Sequence, residues 1–105
     1  MIDKPGIVKK SDILPSLIEY LGRLANDSDA SIFNRFEAIE LLLRVAIGPR
    51  RRHADDNDVA ASRHACTALS EANLFLSQTM TSKDHRARVR LQAASLATLV
   101  TKVST

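Results

Sequence analysis

The chain has 105 residues, 45% of them hydrophobic, and fifteen Lys and Arg against twelve Asp and Glu give a formal net charge of +3. That length holds one domain and excludes a barrel enzyme or a two-domain cofactor fold. The apolar fraction excludes wholesale disorder, and the single cysteine, Cys66, excludes an intramolecular disulfide.

Fourteen alanines and thirteen leucines dominate, against three glycines, three prolines and four aromatics. Ala and Leu favour helix, and the β-branched and aromatic residues that fill strands are sparse. The expected fold is all-α: a single-domain four-helix bundle, up-down and antiparallel because the turns are short. Residues 1–10 read as an extended N-terminal arm and 11–105 as the bundle.

Ser11 is the expected N-cap of a first helix reaching about Ala25, with Pro15 in its first turn. Leu14, Leu17, Ile18, Leu21, Leu24 and Ala25 form its apolar stripe. Asn26-Asp27-Ser28-Asp29 makes a polar turn. A second helix is predicted from Ala30 to Ile47, striped by Ile32, Phe36, Ile39, Leu43, Ala46 and Ile47. Leu41 and Val45 fall off that stripe, and a helix apolar on two sides is buried on two sides, centrally or in a subunit interface. Gly48-Pro49 ends it.

The third helix is predicted from Asp56 to Met80 along Ala61, Ala65, Ala68, Leu69, Ala72, Phe75, Leu76 and Met80. Its alanines imply a close neighbour. Thr81 or Ser82 is the expected cap of a fourth helix reaching Val103, striped by Val89, Ala93, Leu96, Leu99, Val100 and Val103. No internal repeat or membrane-spanning run is visible. The N-terminus lacks the apolar core of a signal peptide, so a cytoplasmic location is expected.

Two basic clusters are candidates for contact with an acidic partner. Arg50, Arg51 and Arg52 follow the second helix, where positive charge suits the helix dipole, and Asp55, Asp56 and Asp58 balance them locally. Lys83, Arg86 and Arg90 fall on one side of a wheel at the start of the fourth helix, where the dipole disfavours cations. They call for an offset: a carboxylate from Glu37, Glu40 or Glu71, or an acidic partner.

Metal and cofactor chemistry is not expected. His64 and Cys66 stand about 200° apart on one helix, and His85 reads as a partly buried, hydrogen-bonded side chain. There is no phosphate loop, nucleophile elbow or paired carboxylate, so no catalytic residue and no small-molecule substrate is assigned. The reading is a non-enzymatic helical protein that binds another protein or a second copy through Leu41, Val45, Lys83, Arg86 and Arg90. The alternative is a nucleic-acid-associated regulator that grips phosphates through Arg50, Arg51, Arg52, Lys83, Arg86 and Arg90.

Overall fold

The structure, a computed structural model, describes the backbone of residues 10–47 and 56–104, and the side chains of 15–47 and 59–103. Among these there are four α-helices and no strand: α1 (Lys10–Ala25), α2 (Ile32–Ile47), α3 (Asp56–Thr81) and α4 (Ala87–Ser104). The fold is an all-α four-helix bundle. No helix among the described residues is long and apolar enough to cross a membrane. Of the expected arm at 1–10, Lys10 is the first residue of α1, and residues 1–9 lie outside the described residues, as do Arg50, Arg51 and Arg52.

Each start reflects local chemistry. α1 begins at Lys10, one residue before the expected cap, so Pro15 stands in its second turn. There the missing Pro15 N–H leaves the Ser11 carbonyl without a helical donor. α2 begins at Ile32 and not Ala30, because Ser31 is the cap. Its hydroxyl accepts from the Asn34 N–H at 3.1 Å, and its carbonyl accepts the first helical bond from Arg35 at 3.0 Å.

α4 departs furthest from expectation. Thr81 ends α3, its hydroxyl donating back to the Ser77 carbonyl at 2.9 Å, and so caps nothing ahead of it. Residues 82–86 form a turn, fixed by the Asp84 N–H donating to Ser82 Oγ at 3.3 Å. The Arg86 carbonyl accepts the first bond of α4, from Arg90 at 3.1 Å. Lys83 therefore lies in the turn and Arg86 at the cap. The expected helical row of Lys83, Arg86 and Arg90 does not form.

α2 and α3 are the central pair: they pack on each other and each also packs on α1 and on α4. α1 and α4 do not touch one another among the described residues. α2 thus meets three neighbours, yet of its second apolar set Val45 is only half-buried and Leu41 is exposed. Phe36, Ala38, Ile39, Leu42, Leu43 and Ala46 are buried, whereas Ile47, expected in the stripe, is 42% exposed. On α3, Ala61, Ala65 and Ala72 are buried with Leu69 and Leu76. α1 crosses α3 closely at Gly22, where an added Cβ would lie 3.2 Å from the Cβ of Ala68.

Candidate interaction surfaces

The helix ends are held from the neighbouring helix. Arg35, in the first turn of α2, donates through Nε to the carbonyl of Ala25, the last residue of α1, at 2.9 Å. Arg90, in the first turn of α4, donates in the same way to the Met80 carbonyl at the end of α3, at 3.3 Å. Ser62 Oγ on α3 donates to the Ala46 carbonyl at the end of α2, at 2.8 Å. All three satisfy carbonyls that a helix cannot satisfy itself, and the two guanidinium groups sit at the negative ends of helix dipoles.

Arg35 is the better buried of the two arginines. Its guanidinium lies 3.5 Å from the centroid of the Phe75 ring, and that ring stands 5.8 Å from Phe36 at 46°. Burial pulls the Arg35 pKa down from its ordinary value, and the Asp27 carboxylate works in the opposite direction.

These contacts account for one of the charges that sequence reasoning left unpaired. Arg90 finds its offset in a backbone carbonyl, not in Glu37, Glu40 or Glu71. Lys83, Arg86 and Arg88 are exposed around the α3–α4 turn, with no ion pair to any described residue. Val45 packs against the core as a half-buried side chain, whereas Leu41 is 37% exposed. The proposed Leu41/Val45 pair is therefore divided between surface and interior. The Glu40–Arg44 pair, four residues apart in the favourable order, makes no ion pair; the exposed pair on α1 is Arg23 with Glu19.

Among the described residues, open concavities run along helix seams. One, about 670 Å³, lies between α1 and α3 and is lined by Pro15, Gly22, Asn26 and Ala68 with Glu19, Arg23, His64 and Glu71. A second, about 240 Å³, lies between α1 and α2 at Tyr20, Leu24, Asn34, Glu37 and Leu41. A third, about 420 Å³, lies between α2 and α4 at Glu40, Arg44, Ile47, Gln92 and Leu99. No group of His, Cys, Asp and Glu among the described residues is placed to hold a metal. Cys66 is half-buried against the core, consistent with a small filler, and His85 is half-buried in the turn before α4.

Large apolar side chains are exposed on all four helices, Val59 at 39% on α3 among them. Leu17, Tyr20, Phe33, Leu41, Ile47 and Leu99 are exposed on α1, α2 and α4, with Phe33 at 64% and Tyr20 at 62%. Tyr20 and Leu41 share the α1–α2 concavity, and Ile47 and Leu99 share the α2–α4 one. Leu74 and Leu91, off their stripes in the sequence, are more exposed still, at 66% and 70%. Sequence reasoning overlooked Phe33 and Tyr20. Their signal was position: Phe33 is three residues before the buried Phe36, on the flank of the stripe, and Tyr20 adjoins the buried Leu21.

No protein-family model, no curated protein and no solved structure matches this chain.

Proposed function

We propose that the protein is a non-enzymatic interaction module whose α2 side binds another protein chain. The observation that carries this reading is the clustering of exposed apolar side chains along and beside α2: Phe33, Leu41 and Ile47 on the helix itself, Tyr20 and Leu99 in its two seams. Single exposed leucines need no explanation, but several large apolar side chains gathered on and beside one helix are a recurrent feature of docking surfaces. Glu37, Glu40 and Arg44, all exposed, lie among these apolar residues on the same face of α2. The concavities are open seams between helices, which suits surface recognition better than sequestered chemistry.

A second reading rests on Lys83, Arg86 and Arg88 at the α3–α4 turn, exposed and without a described acidic partner. Such a cluster suits phosphate backbones. One experiment separates the two readings: capture from a lysate of the source cells with wild type, Leu41→Glu and Lys83→Ala/Arg86→Ala as baits, with and without nuclease. A specific protein held by wild type and by the double variant, but lost with Leu41→Glu, supports the apolar surface. Capture that nuclease or the double variant abolishes, and Leu41→Glu spares, overturns it in favour of nucleic acid.

A further inference from the structure

The outward face of α2 carries a pattern that a generic docking surface does not need. Phe33, Glu37, Glu40, Arg44 and Ile47 follow one another in alternating steps of four and three residues, and all five are exposed. They lie within about 80° of one another on a 3.6-residue wheel, forming a single ridge that points away from the core. Leu41 flanks the ridge on the α1 side, in the concavity it shares with Tyr20. Ile47 flanks it on the α4 side, in the concavity it shares with Leu99.

The order of chemical types along this ridge is self-complementary at all but its central position. From its N-terminal end it runs aromatic, acidic, acidic, basic, aliphatic. Laid against an identical helix running the other way and centred between Glu40 and Leu41, Phe33 falls within one residue of facing Ile47 of the second helix. Glu37 falls opposite Arg44, and each match occurs twice because a two-fold interface repeats every contact. Alternating steps of four and three are also the spacing by which two helices mesh along their length. Within the subunit, neither Glu37 nor Arg44 makes an ion pair with any described residue. Both charges are thus free to pair across the axis.

We propose that α2 docks antiparallel on α2 of a second copy of this chain, with Glu37 of each subunit paired to Arg44 of the other and Leu41 meeting its counterpart beside the two-fold axis. The inference rests on the reading of α2 as the binding face and names its occupant. The geometry also carries a cost. Glu40 meets its own counterpart on the α4 flank, where like charges oppose association. Two neighbouring acids on one helix face therefore have opposite effects: Glu37 holds the dimer together and Glu40 pushes it apart.

Sedimentation equilibrium of the full chain tests this, with circular dichroism confirming that each variant remains helical. All the substituted side chains are exposed, so folding is expected to survive. Wild type should show a concentration-dependent monomer–dimer equilibrium. Glu37→Arg and Arg44→Glu alone should each weaken it by at least about tenfold, since each creates two like-charge contacts per dimer. The combined Glu37→Arg/Arg44→Glu variant should recover to near wild type. An equimolar mixture of the two single variants should form heterodimer where neither forms homodimer. Glu40→Gln should tighten association and Glu37→Gln loosen it.

A chain that stays monomeric up to about 1 mM, the weak limit of specific association, overturns the inference. So does a dimer whose affinity ignores the charge exchanges. Neither result touches the binding reading, which the Leu41-dependent capture of a different protein decides independently.

Discussion

At the scale of single residues, two arginines do the same work in two places. Arg35 reaches the Ala25 carbonyl and Arg90 the Met80 carbonyl, each ten residues back across a turn. Their environments differ, so the losses on removal should differ. Arg35 is half-buried and also stacks over Phe75. Arg35→Ala should therefore cost about 1.5–3 kcal/mol, the range for a hydrogen bond to a charged group, with the lost ring contact adding to it. Arg90 is exposed and its bond is longer, so Arg90→Ala should cost less, about 0.5–1.5 kcal/mol. In a domain this small about 1 kcal/mol moves Tm by about 4–8 °C, so thermal melts resolve the ranking. Equal shifts would mean that Phe75 and burial contribute nothing to Arg35. The cationic start of α4 was legible in the sequence, but its offset was not. A backbone carbonyl ten residues upstream leaves no trace in side-chain pattern, and the search for a carboxylate looked in the wrong place.

At the scale of elements, α3 was the most legible: its predicted span, Asp56 to Met80, falls one residue short of the observed end at Thr81. A long stripe of Ala, Leu and Phe at helical spacing defines such a helix without help from its ends. The start of α4 was misplaced because Thr81 and Ser82 carry cap chemistry and spend it elsewhere, Thr81 on the Ser77 carbonyl and Ser82 on the turn. The approach of α1 to α3 depends on one small residue, Gly22. The space at Gly22 admits a methyl group only at 3.2 Å from Ala68, tighter than an ordinary contact. Gly22→Ala gains up to about 1 kcal/mol of helix propensity and loses a comparable amount to that crowding, so it should be close to neutral. Gly22→Leu has no such balance and should destabilise by at least about 2 kcal/mol in urea titration, as overpacking prises α1 from α3. A Gly22→Leu protein as stable as wild type would show that α1 does not depend on this crossing.

At the scale of the whole molecule, the bundle was read correctly, but its internal asymmetry was not. Apolar stripes say that four helices share an interior, yet not which two occupy its centre. The second apolar side of α2 came nearest to saying so. Its partners turn out to be α1, α3 and α4, so α2 and α3 each have three neighbouring helices, while α1 and α4 make no contact with each other among the described residues. Losing an outer helix breaks fewer contacts than losing a central one, so opening should be graded. Native-state hydrogen exchange should find the slowest amides in α2 and α3, around Ile39, Leu42, Leu69 and Leu76. Smaller opening energies are expected in α1 and α4. Uniform protection through all four helices would mean that the bundle opens as one unit and that the central pair has no privileged stability.

The hydrogen bonds at the helix ends bear on how such a chain comes into being. The last turn of α1 waits for Arg35, that of α2 for Ser62 and that of α3 for Arg90. During synthesis, at about 5–20 residues per second, the newest helix therefore emerges with a carbonyl still bare to water. It is finished only about a second later, when the following stretch has left the ribosome and folded back. A pause that holds Arg35, Ser62 or Arg90 inside the ribosome after the preceding helix has emerged would strand that helix with a frayed tip, so the pace of translation bears on how cleanly each new rod is sealed.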